Sequence, residues 1–175
     1  MNITFYGGAR EVTGANYLLE TSRAKILVDC GMFQGNRELD DLNFNSFVFD
    51  PADIDALFIT HAHIDHIGRI PRLVAHGFKG RIISTAATRD LARVLLEDAM
   101  RLGQHEDRAL FTIQDLDRTS KLWEALPYYK EIVINDVSVM LHNAGHILGS
   151  SFVACNAEGK RILFTGDLGN IPSIL

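Results

Sequence analysis

Ala56-Leu57-Phe58-Ile59-Thr60-His61-Ala62-His63-Ile64-Asp65-His66 is the stretch on which the reading of this chain turns. Its first half is a compact apolar run of strand length, and its second half packs three histidines and one carboxylate into positions 61–66. His61 and His63 are two apart, so on extended backbone they point to the same side. Asp65 and His66 follow where the chain turns into a helix, and they face the same point from another direction. Imidazole and carboxylate are ligands preferred by zinc, and by iron or manganese as oxygen ligands increase. Crowding such groups together without an ion is costly, so the stretch reads as a metal site. The four side chains could fill one tetrahedral ion. Adjacent Asp65 and His66 fit poorly on an ion already held by both His61 and His63, so two ions with further ligands are the natural alternative.

Further ligand candidates sit at other strand ends. Asn143-Ala144-Gly145-His146-Ile147-Leu148-Gly149-Ser150 follows a strand and sets His146 between glycines. Phe164-Thr165-Gly166-Asp167-Leu168-Gly169 repeats the design with an acid, and Leu27-Val28-Asp29-Cys30-Gly31 does so again. Glycine permits close backbone approach and unusual dihedrals, which suits a crowded site. Each of these alone reads as an ordinary turn residue. Their repetition at three strand ends makes them candidates. His76, His105 and His142 lack that setting.

Around these motifs the pattern is one of mixed layers. Strands are expected at 2–6, 16–20, 25–28, 56–60, 81–84, 132–134, 138–141, 151–156 and 160–164. Residues 32–55 read as a long polar surface excursion. A helix carries Ile67, Ile70, Leu73 and Val74 on one face, with Pro71 in its first turn and Gly77 as a stop. A second amphipathic helix presents Leu91, Val94, Leu95, Ala99 and Leu102, with Thr85 or Thr88 near its start. A third spans 114–126. Strands at both ends and helices in the middle give an α/β (α+β) arrangement.

Composition bounds the alternatives. The chain has 175 residues, 47% of them hydrophobic and 22% charged, which fits a single folding unit over 1–175 and excludes a disordered or fibrous chain. No apolar run approaches the roughly eighteen residues of a membrane span, so no membrane partner is expected. Cys30 and Cys155 are isolated, which supports neither a disulfide framework nor a cysteine zinc site. The N-terminus lacks the basic region and small-residue cleavage site of a signal peptide, so a reduced cytoplasmic setting is expected. The net charge of -5 gives no support for a basic nucleic-acid surface beyond a local patch. Arg10, Arg69 and Arg72 read as isolated, solvated charges rather than phosphate ligands.

The series Asp29, His61-x-His63-x-Asp65-His66, His146 and Asp167 resembles motifs one to four of the metallo-β-lactamase superfamily. The surrounding residues narrow the resemblance to the β-CASP branch of RNA-processing nucleases: Gly7-Gly8-Ala9-Arg10-Glu11-Val12-Thr13-Gly14, Leu27-Val28-Asp29-Cys30-Gly31, Ala144-Gly145-His146-Ile147-Leu148-Gly149-Ser150 and Thr165-Gly166-Asp167-Leu168-Gly169. That branch includes the endonuclease subunit of the pre-mRNA cleavage machinery. Thioesterase-type members carry Thr-Pro-Gly after the third-motif histidine, whereas Ile147-Leu148-Gly149 follows His146 here.

The resemblance implies an αββα sandwich and two zinc ions, with iron or manganese as alternatives. His61, His63 and His146 would hold one ion, and Asp65 and His66 the other. Asp167 would bridge both together with a water or hydroxide. Asp65 would also orient that water or accept its proton, and Asp29 would orient ligands without touching an ion. The implied activity is hydrolysis of RNA phosphodiester bonds, with single-stranded RNA as the substrate of the full-length protein and a homodimer as a compatible assembly. In the family a β-CASP insertion and a last histidine ligand follow motif four, so this stretch is expected to be the N-terminal part of a longer protein. It should therefore have an incomplete sandwich, an uncovered sheet face and weak turnover alone. A small-molecule metallo-hydrolase acting on thioesters, lactones or phosphodiesters, and a non-catalytic RNA-processing scaffold, are the competing readings.

Overall fold

The structure is a computed structural model and describes residues 1–105 and 108–170. The first sheet has six strands in sequence order: β1 (Asn2–Gly7), β2 (Asn16–Glu20), β3 (Lys25–Val28), β4 (Ala56–Phe58), β5 (Arg81–Ser84) and β6 (Trp123–Ala125). β1, β2 and β3 pair antiparallel, and β3 to β6 run parallel. The second sheet is an antiparallel meander ordered β10-β9-β8-β7, made of β7 (Glu131–Ile134), β8 (Val137–Asn143), β9 (Ser151–Ala157) and β10 (Lys160–Phe164).

The apolar run that leads to His61 is continuous because both of its faces are covered, as expected for a central parallel strand. Leu57 and Ile59 face a helical layer with Leu27 and Ile82. Ala56 and Phe58 face the second sheet with Ile26, Val28 and Ile83, against Val137, Val139, Leu141, Val153 and Cys155. The helical layer holds α2 (Ile64–Ile67), α3 (Ile70–Ala75), α4 (Ala86–His105) and α5 (Ile113–Leu122). The order is therefore helices, sheet, sheet. The outer face of the second sheet carries Met140, His142, Phe152 and Leu163, and among the described residues no helix packs closely against it. No helix among the described residues is long and apolar enough to cross a membrane.

Several elements differ from the expectations above. Residues 114–126 are not one helix: α5 ends at Leu122, and Trp123–Ala125 is the edge strand β6. Nothing in three residues of Trp-Glu-Ala marks a strand. The pairing with Ile82–Ser84 makes it one, helped by the Trp123 indole N–H donating to Ser84 Oγ at 2.8 Å. The helix expected around Ile67 to Val74 is broken into α2 and α3 at Gly68-Arg69. Pro71 lacks the N–H to continue a helix and disfavours helical backbone before it. The excursion 32–55 also contains α1 (Arg37–Leu42), capped by the Asn36 side chain, and one 3-10 turn at Pro51–Asp53.

Arg10 is exposed, as expected, but Arg69 and Arg72 are not isolated, solvated charges. Arg69 is buried, with its guanidinium over the Phe33 and Phe47 rings and its Nε donating to the Gly31 carbonyl at 2.7 Å. Arg72 donates to the Phe44 carbonyl at 2.6 Å. Both pin the excursion to α3 instead of lying in solvent.

α4 presents a different face from the one expected. Thr88, Ala92, Leu96 and Met100 are its buried residues, at every fourth position. Val94 and Leu102 are exposed, and Leu95, Ala99 and Leu102 line an open groove of about 460 Å³ with Phe33, Phe44 and Phe111. Leu96→Ala is therefore expected to cost about 2–5 kcal/mol of stability, and Val94→Ala less than about 0.5 kcal/mol. Denaturant unfolding of the two variants measures the difference; the reverse ranking would mean α4 is rotated.

Candidate metal centre

The ligand-type side chains meet at one rim, where β3, β4, β8 and β10 all end. Past β4 the chain passes through Thr60, His61 and Ala62 outside any helix or strand, and His63 forms the start of α2 with φ -65° and ψ 147°. The alternation expected of extended backbone is met: His61 Nε2 and His63 Nδ1 lie 3.0 Å apart. His146 Nε2 comes from the β8–β9 loop to 3.2 Å from His63 Nδ1. From the end of β10, Asp167 Oδ2 reaches 3.8 Å from His61 Nε2 and 3.6 Å from His146 Nε2. These four ligand atoms all lie within 4.8 Å of one another. Tetrahedral zinc with bonds of about 2.0–2.1 Å separates its nitrogens by about 3.3 Å, so the cluster has the dimensions of a four-coordinate cation site.

Asp65 and His66 are not part of that cluster. His66 Nε2 lies 3.8 Å from Asp65 Oδ2 and 3.6 Å from Asp167 Oδ1. Asp167 thus turns one oxygen toward three histidines and the other toward His66. Together with Asp65, His66 and Asp167 Oδ1 form a second, three-donor group beside the first.

The protonation of these imidazoles is fixed from behind. Asp29, wholly buried and at φ +59°, accepts the Thr60 N–H on Oδ1 at 2.8 Å. On Oδ2 it accepts the Thr60 hydroxyl at 2.8 Å and the His66 Nδ1–H at 2.7 Å. The Thr60 hydroxyl has spent its proton on Asp29, so its oxygen accepts from His61 Nδ1–H at 3.0 Å. In the neutral rings both Nε2 atoms are thereby left unprotonated toward the centre, the form a metal requires. Burial, with the neighbouring charges of His66, His63 and His146, pushes His61 down to about 2. At His66 burial acts downward as well, but the Asp29 charge and hydrogen bond, with Asp65 and Asp167, raise its pKa. Cys30 and Cys155 take no part: burial pushes their thiols up to about 11 and about 12.

Close backbone approach explains two of the glycines in the motifs. A Cβ on Gly31 would stand 1.5 Å from the Asp65 carbonyl oxygen, and one on Gly169 would stand 1.7 Å from the Gly145 carbonyl oxygen. The Asp29 loop thus touches the Asp65 turn and the Asp167 loop touches the His146 loop, backbone to backbone, tied further by Cys30 N–H to His66 O and Gly169 N–H to Ala144 O. His76 and His142 stand apart; His76 Nδ1 meets the Arg72 carbonyl and His142 stacks on Phe152. The residues that sequence reasoning missed are Thr60, Thr85, Thr88 and Ser150. Thr60 carries a local signal, a hydroxyl immediately before the first histidine, whereas Thr85 and Thr88 signalled only a helix start.

A sequence profile described as Metallo-beta-lactamase superfamily matches residues 9–175. Among curated proteins, ribonuclease TTHA0252 of Thermus thermophilus is 39% identical over 170 residues, covering 97% of this chain and 38% of that protein. Transcription termination factor FttA of Methanocaldococcus jannaschii is 33% identical over 172 residues, 96% of this chain and 27% of that protein. Cleavage and polyadenylation specificity factor subunit 3 of Dictyostelium discoideum is 34% identical over 171 residues, 95% of this chain and 22% of that protein. The chain therefore spans well under half the length of these relatives. Among solved structures, a protein of unknown function from Enterococcus faecalis superposes with a TM-score of 0.68 at 19% identity, covering 95% of this chain and 43% of that one. BJP-1, a subclass B3 metallo-beta-lactamase of Bradyrhizobium japonicum, gives 0.59 at 24% identity, with 95% and 60% covered. At such identities the likeness is one of fold.

Proposed function

The chain belongs to the metallo-β-lactamase superfamily, and on that premise we propose that it holds two divalent cations, zinc by preference, and serves hydrolysis of RNA phosphodiester bonds. The observation that carries this reading is the convergence of His61, His63, His146 and Asp167 ligand atoms within 4.8 Å, with Asp65 and His66 beside them. RNA is favoured as the substrate by relatives named as a ribonuclease and as a cleavage and polyadenylation specificity factor.

When bound, two adjacent cations acidify a water at neutral pH and offset charge developing on a phosphodiester. The chain's own residues do the rest. His61, His63 and His146 would supply neutral nitrogens to the first position, and Asp65 and His66 would serve the second. Asp167, with one oxygen toward each, would serve both. The Asp65 carboxylate, part-exposed at the rim, would accept a proton from the attacking water. Asp29 and Thr60 hold His66 and His61 in the ligating tautomer, so the site is assembled before substrate arrives.

The first position draws four donors from this chain, whereas the second draws three, one of them shared. Binding of the first cation is accordingly expected to be the tighter of the two. The test of substrate class is side-by-side turnover of single-stranded RNA and of S-lactoylglutathione by zinc-loaded protein, with Asp65→Asn as the control. RNA cleavage lost in that variant supports the reading. Preferential thioester hydrolysis would overturn it.

A further inference from the structure

His146 stands on a loop of the second sheet, while His61 and His63 stand on the first, so something must register one sheet's ligand against the other's. The loop is closed on itself by Ser150, whose Oγ accepts the N–H of His146 at 3.0 Å and of Ile147 at 3.2 Å. The Ser150 N–H donates to the Ile147 carbonyl at 2.9 Å, and the Ser150 carbonyl accepts the Tyr128 hydroxyl at 2.8 Å. The preceding residue, Gly149, makes one connection to the first sheet; Ser151 makes another, with its N–H at 2.7 Å and its hydroxyl at 3.1 Å donating to the Thr60 carbonyl. Its carbonyl accepts the Thr85 hydroxyl at 2.7 Å and the Thr88 hydroxyl at 2.8 Å. Both threonines are buried, at the end of β5 and in the first turn of α4.

Helix capping alone does not account for this pair. Thr85 Oγ1 accepts the Thr88 N–H at 3.2 Å, which serves the helix start, and stands within hydrogen-bond reach of both the Gly149 carbonyl, at 2.7 Å, and Thr88 Oγ1, at 3.0 Å. Thr88 lies inside α4, where a hydroxyl ordinarily turns back to its own helix; here it reaches across to another sheet's loop. Two donors on one carbonyl fix its direction as well as its distance. One residue further on, Ser150 passes that direction to the His146 peptide.

We propose that Thr85 and Thr88 are positioning residues for His146, acting through the Gly149 carbonyl and Ser150 to set the geometry of the first cation position. This rests on the metal-centre reading above. Loss of both hydroxyls should let the loop shift by a fraction of an ångström, loosening the first position while leaving Asp65 and His66 untouched. Supports of ligands in metal sites are worth about 10–100-fold in affinity, which sets the expected effect.

The experiment is a cobalt(II) titration of the wild-type chain, Thr85→Ala/Thr88→Ala and Thr85→Ser/Thr88→Ser, followed by visible absorption and by thermal unfolding without metal. The alanine pair should bind the tighter cobalt about 10–100-fold more weakly with an altered d–d spectrum, and the serine pair should match wild type. Wild-type affinity and spectrum in the alanine pair would overturn this inference alone. A wild-type chain that binds no cobalt would overturn the metal-centre reading and this inference with it. Should the double variant fail to fold, Thr85→Ala and Thr88→Ala singly keep one donor on Gly149. Each should then show a severalfold loss, and unchanged cobalt binding in both would refute the proposal.

Discussion

Asp29→Asn is expected to cost about 1–3 kcal/mol of stability and to weaken the second cation position about 10–100-fold, with the first position weakened as well because the freed Thr60 hydroxyl can turn its proton to His61 Nδ1. Asparagine tolerates the left-handed backbone at position 29, so the substitution changes hydrogen bonding without adding strain. Its Oδ1 can still accept the Thr60 N–H. Its amide nitrogen now stands where Oδ2 accepted from both Thr60 and His66. An NH₂ group only donates, so His66 Nδ1 must become the acceptor and its proton moves to Nε2. That is the atom facing Asp65 and Asp167, and a protonated nitrogen cannot ligate. Thermal unfolding with calorimetric zinc titration measures both effects. Unchanged affinity at both positions would mean that Asp29 does not set the His66 tautomer.

Asp167→Ala is expected to separate function from folding in the opposite way. The Asp167 side chain is 47% exposed and packs little, so metal-free stability should change by less than about 0.5 kcal/mol. Both cation positions lose a donor, since each carboxylate oxygen faces one of them. The first is left with three histidines and the second with Asp65 and His66 alone. The second ion should be lost outright. Zinc-dependent RNA cleavage should fall by more than about a hundredfold, beyond what loss of a mere ligand support causes. A metal count together with a cleavage assay checks this. Two retained ions in the variant would remove Asp167 from the centre.

The ligand-type residues were legible because their spacing is local. Positions 61 and 63 share a side on any extended backbone, and 65–66 follow at a turn, so the crowding survives without knowledge of the fold. His146, Asp167 and Asp29 were found by repetition of a glycine-flanked residue at a strand end, and the structure brings all three strand ends to one rim. What failed to show depended on distant partners. Trp123–Ala125 is a strand because β5 lies beside it. The buried stripe of α4 runs through Thr88 and Ala92 because small residues let the helix approach the sheet and reach Gly149, while the more apolar stripe with Val94 and Leu102 faces outward. Arg69 looked like a solvated charge until Phe33 and Phe47, 36 and 22 positions earlier in sequence, closed over it. The Thr85 and Thr88 hydroxyls were legible only as residues at a helix start; their reach to Gly149, more than sixty residues away along the chain, was not.

Zinc binding to the metal-free chain, followed by calorimetry and by elemental analysis after gel filtration, tests the central claim most directly. The account predicts one tight site and one weaker site, both lost when His61 and Asp167 are replaced together. It also predicts thermal stabilisation by zinc that a chelator reverses, about 2.7 kcal/mol at a free zinc concentration one hundred times the dissociation constant. A chain that takes up no zinc, iron or manganese, and whose unfolding is indifferent to all three, would contradict it.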